Sequence, residues 1–149
     1  MSCDVRLAGP ADIELLLSLH EEFSREDGQP FEPAAAREAL NCLLKEPSFG
    51  RVWMIEHEGG PVGYLAVCFG YSIEFRGRDA FLDEIYVRPA ARGRGLAREA
   101  LEFAQAECSK AGVRSLHLEV RRGNEAARRL YRDAGFVERE SYLMTRKLR

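Results

Sequence analysis

The feature that most constrains this 149-residue chain is the stretch at residues 87–97, Val-Arg-Pro-Ala-Ala-Arg-Gly-Arg-Gly-Leu-Ala. A run of strand-forming residues ends at Pro89, a turn rich in arginine and glycine follows, and a long amphipathic helix begins at Gly95. Glycines permit tight turns and the close approach of a ligand, and the unpaired N–H groups at a helix start lie at the positive end of the helix dipole. The pattern therefore predicts a backbone cradle for a phosphate or pyrophosphate group.

The glycines leave a second interpretation open, because Gly93 and Gly95 would also suit a turn that binds nothing. Neither GxGxxG nor GxxxxGK[ST] occurs in the sequence. A Rossmann dinucleotide site and a P-loop nucleotide site therefore both lose their main support.

The hydrophobic periodicity along the chain predicts an α/β fold. The predicted strands cover residues 4–8, 51–57, 62–69, 80–87, 115–120, 136–140 and 141–147. The predicted helices cover residues 10–23, 34–44, 95–111 and 125–134, and Asn124 is the predicted N-cap of the last one. The order βααβββαβαββ indicates a mixed central sheet of about six to seven strands with helices on both faces.

Length and composition predict one domain over residues 1–149. The net charge of −2 argues against a nucleic-acid partner. The four cysteines show no CxxC pair, and the three histidines lack metal-ligand spacing, so we expect no metal. The absence of a long apolar run or an export signal predicts a cytoplasmic protein with no membrane contact.

Two motifs give the chain a family resemblance. Arg92, Gly95 and Ala97 match the phosphate-loop pattern Arg/Gln-x-x-Gly-x-Gly/Ala of the general N-acetyltransferase (GNAT) superfamily. A second signature of that family is matched, in order, by Leu118-Glu119-Val120, Asn124, Ala127, Leu130-Tyr131 and Gly135-Phe136. The chain thus resembles this superfamily over residues 81–136.

The resemblance implies acetyl transfer from acetyl-CoA to an amine by direct attack in a ternary complex. It also implies which residues contact the acetyl donor through the loop, the preceding strand and one asparagine. These residues are Ile85, Tyr86, Val87, Arg92, Gly93, Arg94, Gly95, Leu96, Ala97 and Asn124.

Tyr131 matches the general acid of the family, which protonates the departing thiolate of CoA. A phenol can fill this role as a well-placed donor. The alternative is a core role, because Tyr131 shares an apolar helix stripe with Ala127, Leu130 and Ala134.

A base or a water relay must deprotonate the amine, because an alkylammonium has no lone pair for attack. The candidates are Asp83, Glu84 and Glu119. Strand alternation predicts that Asp83 and Glu84 face opposite sides of the sheet unless a bulge intervenes. The Asp-Glu pair resembles the diamine acetyltransferase branch, whereas Leu-Glu-Val before Asn124 resembles the ribosomal-protein alanine acetyltransferases. Each carboxylate has the alternative role of a hydrogen-bonded strand residue or an ion-pair partner.

Several acids near the connection between the first two helices and near the cofactor strand indicate the acceptor class. In the diamine acetyltransferase branch, which the chain resembles, acids at such places hold a polycation. These acids are Glu21, Glu22, Glu26, Asp27, Glu32, Glu74, Asp83 and Glu84. We therefore expect a small cationic amine, such as a polyamine or a basic amino acid, with a homodimer as one candidate assembly. A protein or peptide N-acetyltransferase is the first alternative, and a non-catalytic acyl-CoA-binding module is the second.

The general-acid hypothesis predicts that Tyr131→Phe lowers kcat by roughly 10²–10⁴-fold, because the ring stays in its stripe while the proton donor is lost. The melting temperature should change little. Steady-state kinetics with chemistry shown to be rate-limiting tests this, and a full kcat would leave Tyr131 as a core residue.

Overall fold

The computed structural model describes residues 3–149, which form two compact units. The first unit extends to Glu119, and the second comprises Val120–Arg149. The first unit contains a mixed sheet of five strands with three helices, and the second contains one helix. The predicted α/β class is confirmed.

The strands of the first unit are β1 (Asp4–Leu7), β2 (Gly50–His57), β3 (Gly60–Ser72), β4 (Gly77–Val87) and β5 (Ser115–His117). Its helices are α1 (Ile13–Glu26), α2 (Pro33–Lys45) and α3 (Leu96–Lys110). The second unit contains α4 (Glu125–Asp133).

The sheet has the order β1-β2-β3-β4-β5. The first four strands pair antiparallel, and β4 pairs parallel with β5. A parallel pair needs a crossover connection, and α3 provides it. The parallel ladder is short, because it joins only Asp79, Ala80 and Phe81 to β5.

Alternation along the strands gives the sheet two apolar faces. One face packs against α1 and α2; its buried cluster comprises Ala8, Leu16, Leu19, Val52, Met54, Tyr64, Ala66 and Tyr86. The other face packs against α3, where the Trp53 ring meets the Phe103 ring edge-on at 6.0 Å between centroids. Helices therefore cover both faces of the sheet, as predicted.

The predicted element order is correct as far as α4, but the two closing strands at 136–140 and 141–147 are wrong. Residues 137–149 carry no regular secondary structure and are exposed. A strand needs a partner for its backbone groups, whereas the side chain of Glu138 instead accepts hydrogen bonds from Arg128 of α4 at 2.7 and 3.1 Å. The predicted strand at 115–120 is also too long, since β5 ends at His117.

Close contact of β3 with β4 depends on Gly63, which pairs with Val87. A Cβ at this position would lie 2.1 Å from the Tyr86 carbonyl oxygen and 3.0 Å from the Val87 Cα. Both obstacles are backbone, so a side chain could be accommodated only by separating the strands.

Replacing Gly63 with alanine should therefore lower the free energy of unfolding by about 1–3 kcal/mol, the usual range for overpacking. Gly60→Ala in the same hairpin is the matched control, because nothing lies within 4 Å of a Cβ there. Urea unfolding compares the two variants, and an equal effect would contradict the explanation.

Candidate active site

The loop before α3 has the geometry of an anion cradle. Gly93 and Gly95 adopt the left-handed region, with φ of 80° and 77°, and Gly95 caps the N-terminus of the helix. Within the described residues 3–149, no amide N–H of residues 93–98 has a hydrogen-bond acceptor. A Cβ at either glycine would meet no protein atom within 4 Å. The loop therefore offers several backbone donors beside open space.

Two arginines near this loop are already paired with acids of α1. Arg88 contacts the Glu22 carboxylate at 3.0 Å, and Arg92 contacts Glu26 at 2.7 Å. The Tyr86 hydroxyl also donates to Glu22, at 3.2 Å. Two of the acids expected to attract a cationic acceptor are therefore engaged in ion pairs.

One edge of β4 lacks a partner strand beyond Phe81 among residues 3–149. The Arg88 amide donates to the Val62 carbonyl of the neighbouring chain segment at 2.8 Å. Alternation along an antiparallel ladder then turns the backbone groups of Tyr86 towards β3 and those of Ile85 and Val87 towards the open edge. The Val87 carbonyl accepts from Arg92 Nε at 2.8 Å. The amides of Ile85 and Val87 are thus oriented to receive an extended ligand.

A β-bulge brings the two adjacent carboxylates of β4 together. Ala66 pairs with Glu84 and Val67 pairs with Leu82, so that Asp83 is the extra residue of the bulge. The Cys68 thiol, on the neighbouring strand, has its pKa raised by burial and by both carboxylates. The exception to strand alternation therefore occurs at the predicted acidic pair.

Glu84 is fixed by two hydrogen bonds to one carboxylate oxygen. The Tyr64 hydroxyl donates to its Oε1 at 2.6 Å, and Nδ1 of His20 lies 2.9 Å from the same atom. The hydrogen bond to Glu84 raises the pKa of His20, which the charge of Asp83 raises further and partial burial opposes. Burial and the Glu84 charge raise the pKa of Tyr64, which stays a proton donor.

Asp83 is the more open carboxylate of the pair. Its side chain accepts no hydrogen bond from any residue in the described range 3–149. Although it is exposed, the surrounding protein partly desolvates its carboxyl and raises the pKa. The charges of Glu84 and Glu119 raise the pKa further, whereas His20 lowers it. A raised pKa makes this carboxylate a better proton acceptor near neutral pH.

Glu119 lies two residues beyond the end of β5 and is exposed, so its predicted position within a strand is wrong. Its charge nevertheless acts on Asp83. The three carboxylates proposed from the sequence as possible bases therefore belong to one electrostatic group in the first unit.

The second unit holds Asn124 and Tyr131. The Asn124 side chain accepts from the Ala127 amide at 3.1 Å, which confirms its predicted role as the N-cap of α4. The Tyr131 ring packs edge-on against Phe136 at 6.0 Å between centroids. Burial raises the pKa of the Tyr131 phenol. The phenol therefore stays protonated at neutral pH, as a general acid requires.

Sequence reasoning missed His20 and Tyr64. His20 lies on the stripe of α1 that also carries Leu16, Leu17 and Phe23. A polar side chain on an apolar stripe needs a hydrogen-bond partner. The position of His20 on this stripe was therefore the one indication in the sequence that it had such a partner. The partner itself could not be identified, because Glu84 reaches this face only through the bulge.

Residues 3–149 show neither a metal-binding cluster nor a membrane-spanning helix. No group of three or more His, Cys, Asp or Glu side chains there is arranged to hold a metal ion. No helix in the same range has the length and apolar character needed to cross a membrane.

Sequence similarity assigns the chain to one family. Residues 16–136 match the sequence pattern of the Acetyltransferase (GNAT) family. The chain belongs to this family, as the two motifs predicted.

The chain is 34% identical over 124 residues to the thialysine N-epsilon-acetyltransferase of Bos taurus, a match that covers 80% of this chain and 65% of that protein. It spans less than two thirds of the length of the curated relatives that it matches.

Two solved structures share the fold. An integron cassette protein from the mobile metagenome of Cole Harbour Salt Marsh is 36% identical, with a TM-score of 0.88 over 97% of this chain and 90% of that chain. A predicted acetyltransferase from Clostridium acetobutylicum, solved with acetyl-CoA, is 20% identical, with a TM-score of 0.81 over 97% and 96% of the two chains.

The cradle predicts that Gly95→Ala weakens acetyl-CoA binding by about tenfold, the effect of losing roughly one backbone hydrogen bond. Gly112→Ala is the matched control, because Gly112 has a similar φ of 83° and equally open surroundings. Both variants carry the same backbone strain of about 1–2 kcal/mol. Calorimetry should show weakened binding only for Gly95→Ala, and an unchanged affinity would refute the cradle.

Proposed function

We propose that this chain is an acetyl-CoA-dependent N-acetyltransferase whose acceptor is a small cationic amine. The observation that carries the proposal is the bulge at Asp83, which brings two carboxylates together on a strand whose opposite edge is open. An amine acetyltransferase needs both features, one for the cationic acceptor and one for the extended arm of the donor.

The unpaired amides of residues 93–98 support binding of the donor's pyrophosphate, because such groups at a helix start attract anions. The outward amides of Ile85 and Val87 support alignment of the pantetheine arm as an added strand. One of these amides would also polarise the thioester carbonyl, as an oxyanion-hole donor does.

Asp83 and Glu84 support a cationic acceptor. Glu22 and Glu26 contribute less, because Arg88 and Arg92 already neutralise them. The name of the bovine relative points the same way, since thialysine carries a side-chain amine. We therefore favour an acceptor with one amine for acetylation and at least one further positive charge.

In the proposed reaction, Asp83 receives a proton from the acceptor ammonium, directly or through water. The freed nitrogen lone pair attacks the thioester carbonyl carbon and forms the C–N bond. The attacking nitrogen, which is now positively charged, loses its second proton to water. The C–S bond then breaks, and the CoA thiolate takes a proton from a general acid. Tyr131 is our candidate for that acid, on the basis of the family motif and its protonated phenol.

Acetyl-CoA turnover across a panel of amines tests the proposal. The panel comprises diamines, polyamines, lysine, thialysine, aminoglycosides and peptides. We expect turnover of small cationic amines, with kcat/KM falling as salt is added, because exposed charges are screened over about 8 Å at physiological ionic strength. Asp83→Asn should lower kcat/KM for these amines and leave acetyl-CoA affinity unchanged.

Two other results would replace the proposal. Efficient acetylation of peptides without turnover of any small amine would identify a protein N-acetyltransferase. Tight acetyl-CoA binding without turnover of any acceptor would identify a non-catalytic acyl-CoA-binding module.

A further inference from the structure

We propose that His20 is a positioning residue of the acceptor site, which acts with Tyr64 to hold the Glu84 carboxylate in one orientation beside Asp83. This inference rests on the proposed function, since the orientation of Glu84 matters to catalysis only if an amine binds there.

The geometry around Oε1 of Glu84 requires two donors. An ionised carboxylate only accepts hydrogen bonds. The Tyr64 hydroxyl donates to Oε1 at 2.6 Å, and the remaining contact, from Nδ1 of His20 at 2.9 Å, requires a proton on that nitrogen. Both lone pairs of Oε1 are then occupied, and the carboxylate cannot rotate without losing a bond.

The donors are themselves fixed. The Tyr64 side chain is fully buried in the core between the sheet and α1. The His20 ring packs against Phe31 with 5.9 Å between ring centroids, and its side chain is 24% exposed. We call the two hydrogen bonds from Tyr64 and His20 to Glu84 the Glu84 clamp. The clamp is supported by the core on the Tyr64 side and reaches solvent on the His20 side.

The charged and titratable groups around the clamp come from each neighbouring element. They are His20 of α1, Tyr64 and Cys68 of β3, Asp83 of β4, and Glu119 beyond β5. The His20 side chain is hydrogen-bonded to Glu84, and the charge of the nearby Asp83 raises the pKa of His20 further.

A second histidine–carboxylate pair, which joins β5 to β4, provides a matched control. Nε2 of His117 lies 3.2 Å from Asp79, and the two side chains have the same exposures as His20 and Glu84, 24% and 21%. Asp79 of the control pair lies near the start of β4, whereas the unpaired edge lies along the part of β4 beyond Phe81. A general effect of removing a histidine–carboxylate pair should therefore appear in both variants.

The experiment compares His20→Ala, His20→Asn and His117→Asn in the full chain, using the best amine found in the panel. His20→Ala should lower kcat/KM for the amine by about 10²-fold, the scale of a misplaced catalytic group. The KM for acetyl-CoA should not change. His20→Asn should recover most of the loss, because its amide can donate from nearly the same place as Nδ1, and His117→Asn should behave as wild type.

The pH dependence separates positioning from proton transfer. If His20 only positions Glu84, His20→Asn should keep the shape of the pH profile of kcat/KM. If His20→Asn is as impaired as His20→Ala, a titrating imidazole is required and the positioning role is overturned. Wild-type kcat/KM in His20→Ala would overturn it equally.

An NMR titration of the His20 imidazole tests the contact without any acceptor. The imidazole pKa should lie above its ordinary value near 6.5 and fall in Glu84→Gln. An unshifted titration would overturn the contact itself. Absence of turnover with every amine would instead overturn the proposed function, and the catalytic role of His20 with it.

Discussion

The β-bulge at Asp83 determines which face of the sheet each later residue of β4 points to. Side chains alternate along a strand, so one inserted residue reverses the facing of every residue that follows. With the insertion, Glu84 and Tyr86 face α1 and α2, and Ile85 and Val87 direct their backbone groups to the open edge. Without it, Glu84 would point towards α3, which carries no histidine or tyrosine that could donate a hydrogen bond to the carboxylate. The acidic pair and the open edge therefore depend on the same residue.

The first unit separates the two kinds of electrostatic attraction that its proposed ligands need. The loop offers neutral backbone amides at a helix start, and its nearest arginines are paired with α1. The bulge offers two carboxylates, one of which is hydrogen-bonded to His20. An anionic group at the loop and a cationic group at the bulge would thus meet different chemistry, as the proposed reaction requires.

The sequence revealed the parts of the site that depend on local backbone preference. The loop, α3 and the Asn124 cap follow from glycine conformation, helical periodicity and capping, all of which act within a few residues. The bulge could not be predicted, because it depends on how Ala66 and Val67 pair with β4 across the sheet. The contact of His20 with Glu84 joins residues 64 positions apart and was hidden for the same reason. The closing strands were overpredicted because apolar residues such as Val137 and Leu143 favour a strand, although no strand within residues 3–149 pairs with this segment.

The two ion pairs between α1 and the start of the loop link the movements of these two elements. Glu22 and Glu26 are one helical turn apart, and so project from the same side of α1 towards Arg88 and Arg92. Each pair is half exposed and adds little stability on its own, but together they tie the helix to the loop at two points. His20 lies on the same helix, two residues before Glu22. A tilt or slide of α1 would thus move the imidazole and the two loop arginines together, so that a displacement of the helix reaches both the Glu84 carboxylate and the loop.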